Sequence, residues 1–245
     1  FLLTVPHLVS AQINIEIQRR NLKSVGMMAG GELSLSLHRG NSDFTELDFT
    51  GTFSRKNINH LIFLITEINA AAESDNLYQN QRVAHLRYNY YLSQITALET
   101  FTQVEYDEFA RLNLRFLYGG GVRFEMHDGI VYSALGFSLM YENEDIRETA
   151  GIPSEQDAQI IRSSNYFNFN LVFDNFSLIN TLYIQQSLAS ITDLRMLYDG
   201  GITANLSDNL QLVVELEIKY DSEPPARVDR TELSLSNGIV FNFGS

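Results

Sequence analysis

The stretch Glu99-Thr-Phe-Thr-Gln-Val-Glu-Tyr-Asp-Glu-Phe-Ala-Arg-Leu-Asn-Leu-Arg-Phe-Leu-Tyr-Gly-Gly-Gly-Val-Arg-Phe-Glu-Met126 decides the fold. Read with a period of two, it is a long β-hairpin. In its second half Leu112, Leu114, Phe116, Tyr118, Val122 and Phe124 share one face, and Asn113, Arg115, Gly119, Gly121, Arg123 and Glu125 share the other. Successive strand side chains point to opposite sides, so this strand is apolar on one side and charged on the other. A strand of about a dozen residues is long for a soluble protein. It suits one that crosses a bilayer at a tilt, with lipid outside and a polar lumen inside.

The same alternation recurs in twelve segments, roughly 26–39, 44–55, 58–69, 77–93, 95–107, 112–126, 129–143, 160–174, 176–188, 192–206, 209–221 and 228–243. An even count is what bacterial single-chain barrels require. All four prolines (Pro6, Pro153, Pro224, Pro225) fall outside these segments, as they should when proline cannot donate into a ladder. The pattern predicts a twelve-stranded antiparallel transmembrane β-barrel over residues 26–245. The connections alternate. Lys56-Asn57, Ser93-Gln94, His127-Asp128-Gly129, Asp174-Asn175 and Ser207-Asp208-Asn209 are tight turns, whereas 70–76, 143–159 and 221–228 read as longer, acidic loops. In outer-membrane barrels the short side is periplasmic, which places both termini there. A soluble β-sandwich also has short strands and turns, but its strands are nearer five or six residues long.

Composition fits this reading. Hydrophobic content is 44% and mean hydropathy is −0.10, because half of each barrel strand faces a polar interior. No run of eighteen apolar residues offers a transmembrane helix. There is no cysteine, and the net charge is −13 with only Lys23, Lys56 and Lys219 as lysines. A nucleic-acid partner is excluded on charge, since phosphate contact needs a basic face. The expected partner is outer-membrane lipid. Residues 1–11 read as the remnant of a signal peptide, with Val9-Ser-Ala11 as a small-residue cleavage site, and residues 12–25 as a periplasmic lead-in.

Several segments resemble one bacterial family. They are Gly31-Glu-Leu-Ser-Leu-Ser-Leu-His-Arg-Gly-Asn41, Tyr106-Asp-Glu-Phe-Ala-Arg-Leu-Asn-Leu-Arg115, Gly119-Gly-Gly-Val-Arg-Phe124, Tyr220-Asp-Ser-Glu-Pro224 and Asp229 to Phe243. In order and content they are similar to a domain-of-unknown-function family of salt-induced outer-membrane barrel proteins. The resemblance implies an outer-membrane barrel and implies no reaction or ligand.

The chemistry-bearing motifs are sparse. A hydrolase at the lipid face needs a serine, a histidine and a polar orienting group within hydrogen-bond reach. Ser236-Asn237-Gly238 offers a serine with no histidine before it, and His7, His38, His60, His85 and His127 share no spacing. The chain is therefore read as non-enzymatic. The acids Asp107-Glu108 and Glu142 to Asp145 could meet hard cations, but they lack metal-binding spacing and read as solvated loop acids. Gly119-Gly120-Gly121 is not a phosphate loop, since no Lys-Ser/Thr follows. It relieves strand curvature or lets a side chain cross the lumen. No cofactor motif is present.

The strongest constellation is a set of charges on the polar strand faces: Glu99, Glu105, Arg115, Arg123, Glu125, Arg195, Asp199, Glu215, Glu217, Lys219 and Glu232. The turn at Ser207-Asp208-Asn209 sets a register in which Arg195 faces Asp221 and Asp199 faces Glu217, with Lys219 on the diagonal. The first expectation is a narrow, charge-lined or partly plugged pore for small solutes or ions; the alternative is a non-conducting barrel acting as scaffold or subunit of an outer-membrane complex, with a lipid hydrolase third. Twelve strands lie between filled small barrels and open porins, so size does not choose between them.

Overall fold

A computed structural model describes residues 25–38, 43–73, 76–148, 158–207 and 210–241. The signal remnant and all but the last residue of the lead-in, the turn residues Asp208 and Asn209, and Phe243 lie outside the described residues. Twelve strands form one antiparallel sheet in chain order. They are β1 (Gly26–His38), β2 (Phe44–Lys56), β3 (His60–Glu73), β4 (Asn76–Tyr91), β5 (Thr96–Asp107) and β6 (Leu112–Asp128), then β7 (Val131–Ile146), β8 (Ala158–Val172), β9 (Phe176–Ser187), β10 (Leu194–Ser207), β11 (Leu210–Asp221) and β12 (Thr231–Phe241). Their number and order are those read from the alternation.

Each strand presents apolar side chains outward. Leu86, Leu98, Phe116, Phe137, Leu139, Phe167 and Ile202 are all exposed. Inside, Glu105, Arg123 and Glu142 are 0% exposed. A water-soluble protein has the opposite polarity, because charged groups are almost never fully buried unless paired and large apolar patches are rare. This inversion is that of a membrane β-barrel wall whose outer face meets lipid.

The sheet curls enough for distant strands to touch. Tyr166 of β8 reaches Glu99 of β5, and Arg195 of β10 reaches Glu142 and Glu144 of β7. Among the described residues no ladder joins β12 to β1, so the seam between them is open in this structure. The register of β10 and β11 is the expected one: Arg195 opposes Asp221, and Asp199 opposes Glu217.

Three expectations are corrected. Leu112 faces inward and is 1% exposed, because the ladders on both sides of β6 shift register there, between Glu105 and Asp107 and between Leu112 and Leu114. A bulge moves one residue to the other face, which a strict period of two misses. Residues 70–73 are strand and not loop: Ala70-Ala71-Ala72 continues β3, and β4 begins at Asn76. Asp107, Glu142 and Glu144 are not solvated loop acids: Asp107 closes β5, Glu142 and Glu144 lie on β7, which runs to Ile146, and all three are buried.

Candidate functional site

The interior holds two connected layers of charge. One lies in the half of the barrel nearer the tight turns. Arg123 of β6, wholly buried, donates from Nη1 to the Tyr166 hydroxyl and from Nη2 to the Tyr132 hydroxyl, each at 2.7 Å. Its Nε pairs with Glu125. Tyr166 donates in turn to Glu99 Oε2 at 2.6 Å. Glu99 also accepts from Asn89 and from Arg87, the latter at 3.4 Å. The guanidinium groups of Arg87 and Arg123 both stand over the Tyr166 ring, at 5.8 and 5.3 Å from its centroid. Two cations and two carboxylates balance across this layer.

Tyr166 crosses the interior because Gly136 lets it. A Cβ at position 136 would collide with its ring. Gly119 likewise leaves room for Phe101, whose ring lies under the Arg87 guanidinium at 4.9 Å and is stacked against His85. This is the second of the two roles expected of the strand glycines.

The second layer lies nearer the longer connections. Arg115 bonds Glu105 at 3.3 Å and Glu144. Arg195 bonds Glu142 at 2.7 Å, Glu144 at 3.0 Å and Asp221 at 2.8 Å. Arg162 bonds Glu142 at 3.1 Å and Asp193 at 2.7 Å. Each guanidinium thus bridges at least two acids, the arrangement that lets buried charges persist. Beside the layers, Leu61, Phe63, Ile65 and Val83 form a buried apolar cluster on the inner faces of β3 and β4.

The eleven charges expected to face inward divide three ways. Glu99, Arg123 and Glu125 belong to the first layer, and Glu105, Arg115 and Arg195 to the second. Asp199, Glu217, Lys219 and Glu232 are partly exposed along β10 to β12, where Lys219 pairs with Glu217 at 2.8 Å and opposes Glu232 in the ladder. Glu215 is exposed and accepts a hydrogen bond from Ser236 at 3.3 Å. Ser236 is thus engaged by an acid, while His85 bonds Gln103 and His60 bonds Tyr88. Arg87, Arg162, Glu142, Glu144, Asp193 and Tyr166 are participants that the sequence reading missed. The polar parity of β8 (Arg162, Ser164, Tyr166, Asn168, Asn170) was the available signal.

Outside the strands, the β5–β6 connection is held by local bonds. Asp107 Oδ1 accepts from the backbone N–H of Phe109 and Ala110, both at 2.8 Å. Glu108 accepts from Asn80 at 2.8 Å and from Arg147 at 2.9 Å. The Asn80 hydrogen bond first, and then Arg147, hold its carboxyl below the ordinary range. Among the described residues no group of three or more acids and histidines converges to hold a metal ion.

Three solved structures are similar to the chain. A NanC porin is 12% identical, with 89% of this chain and 99% of that one covered and a TM-score of 0.47. The translocator domain of the autotransporter NalP from Neisseria meningitidis is 9% identical, with coverage of 94% and 93% and a TM-score of 0.44. A bacterial polysaccharide outer membrane secretin is 10% identical, with coverage of 89% and 91% and a TM-score of 0.44. Comparison with curated proteins found no match. The family model described as "Protein of unknown function, DUF481" matches residues 31–243, and the chain belongs to that family.

Proposed function

We propose that this protein is a side-chain-filled barrel that does not conduct at rest and acts in the outer membrane as a scaffold or subunit, without enzymatic activity. The observation that supports this reading is the burial of the interior charges. Glu105, Arg123 and Glu142 are 0% exposed and Arg162 is 1% exposed, whereas the wall of a water-filled pore keeps its charges wet. The apolar cluster at Leu61, Phe63, Ile65 and Val83 supports it too, since such side chains would otherwise face lumen water. The partners are outer-membrane lipid on the outer face and a protein subunit. Nucleic acid is not among them.

A second reading has its own support. Along β10 to β12 the inner charges Asp199, Glu215, Glu217 and Glu232 are less buried, with Lys219 as their cation. A narrow cation-preferring passage would run beside that wall. Conductance in a planar bilayer separates the two. The filled barrel gives no unitary steps. The pore gives small cation-selective steps that Glu215→Gln weakens.

A further inference from the structure

Arg82 stands on the outer wall, between the buried Gln81 and Val83 that face the interior. It opposes Tyr106 in the β4–β5 ladder, and its guanidinium carbon lies 5.5 Å from the Tyr106 ring centroid. Arg147, just after β7, reaches the same ring at 5.5 Å and donates from Nη2 to its hydroxyl at 2.7 Å. The two cations differ in what else holds them. Arg147 bonds Glu108 at 2.9 Å and Asn113 at 3.2 Å. Asp145, the other acid of this patch, is tied to Asn113 in turn. Arg82 makes no hydrogen bond and no ion pair with any of the described residues. Both acids are therefore tied to Arg147, and Arg82 is the cation without a counter-ion.

Arg82 and Tyr106 also mark a depth. β5 has twelve residues, and a tilted strand needs about 9–11 to cross the hydrocarbon. Tyr106 is its last residue but one, so it stands at the membrane edge on the side of the longer connections. Toward the tight turns the outward side chains are apolar: Ala84 and Leu86 on β4, and Val104 on β5. Toward the longer connections they are Asn80 and Glu108. The change falls at Arg82 and Tyr106, where aromatic rings of barrels meet headgroups. A snorkelling arginine extends its head into water. This one is laid on a ring, which keeps its donors at headgroup depth.

We propose that Arg82, on its Tyr106 platform, binds the phosphate of a membrane lipid headgroup, with the acyl chains lying along Leu86 and Val104. The planar guanidinium offers two parallel N–H donors that match two phosphate oxygens. Its unbalanced charge supplies the attraction, and the apolar wall below it takes the chains. The site rests on the outer wall meeting lipid and is independent of whether the barrel conducts.

The test uses the full chain refolded in detergent micelles, with lipid adducts counted by native mass spectrometry during titration with dioleoyl phosphatidate. One saturable adduct is expected. Dioleoylglycerol, which has the same chains and no phosphate, should bind much more weakly. Arg82→Ala should lower the apparent affinity by about tenfold or more, as loss of a charge-assisted hydrogen bond does. Arg82→Gln, which keeps the stem, gives the same reading if the alanine variant fails to assemble. Tyr106→Leu, which removes the platform and keeps Arg82, should weaken binding to a smaller degree. Arg55→Ala, which removes an exposed arginine of β2 that has no ring beneath it, should change nothing. Inorganic phosphate in excess should leave the adduct in place. Unchanged affinity in Arg82→Ala or Arg82→Gln, or an equal loss in Arg55→Ala, would overturn the proposal. Displacement by inorganic phosphate would overturn it too, assigning the site to the free anion. Equal binding of dioleoylglycerol would remove the phosphate contact while leaving the lipid-facing wall intact.

Discussion

The ring of Tyr166 lies over Gly136, and its hydroxyl joins Arg123 to Glu99 across the interior. A strand residue without a side chain thus makes room for one from the next strand. Gly136→Ala should drive the ring off its partners and cost about 1–3 kcal/mol, the range for overpacking a filled site. Urea unfolding in lipid vesicles measures it. Tyr166→Phe keeps the ring and removes the hydroxyl, so it should cost less than Gly136→Ala. If Gly136→Ala is neutral, the crossing does not hold the interior together.

Arg162 tests whether the second layer acts as one unit. It bridges Glu142 and Asp193, and Glu142 is also held by Arg195. Removing one partner of a buried charge group costs about 3–5 kcal/mol, because the remaining charge is stranded. Arg162→Met should fall in that range, and adding Glu142→Gln should restore part of the loss. The coupling from the double-mutant cycle is the readout, and additive effects would show that the acids are compensated independently.

The fold was legible because the strand period is two and one face of every strand meets lipid, so the pattern at Leu210 to Asp221 or Leu112 to Met126 survives without a homologue. The interior was only half legible. Arg115, Arg123 and Arg195 stood out as cations on polar faces, but their partners Glu142 and Glu144 sat in an acid-rich run with Asp145 that looked like a loop. The even parity of Ala134, Gly136, Ser138 and Met140 runs on through Glu142 and Glu144, which the structure buries inside. Tyr166 could not be assigned from local sequence, because its meaning depends on Gly136 and Glu99 on other strands. The inward turn of Leu112 depends on bulges that no hydropathy pattern marks.

Glu108 carries a pH signature outside the membrane-spanning strands. Asn80 and Arg147 favour its charged form and depress its pKa below the ordinary value. A depressed folded-state pKa contributes stability that is present above the unfolded value and lost as pH falls through the folded one. Glu108→Gln should therefore be less stable than the parent at pH 7, by a small amount because the side chain is about a third exposed. The gap should close on acidification below the ordinary carboxylate range. Unfolding midpoints of both proteins across that range test this, and a gap that widens in acid would reverse the sign.

Val213 and Val214 test the orientation of the wall, one residue apart. Val214 pairs with Ile202, an exposed apolar residue, and Val213 pairs with Thr203 and Gly238 on the inner face, beside Glu215. Shifting a strand by one residue exchanges its faces, so the two positions meet different solvents. Val214→Arg places a guanidinium in lipid and should cost about 2–4 kcal/mol if the position is near the midplane. Val213→Arg places the same group among polar neighbours, within diagonal reach of Glu215. Heat-modifiable migration after refolding into vesicles reads assembly directly. Val214→Arg should leave most of the protein unassembled, and Val213→Arg should assemble like the parent. Equal behaviour of the two variants, or failure of Val213→Arg alone, would put the inner face of β11 outside and undo the register on which the interior network rests.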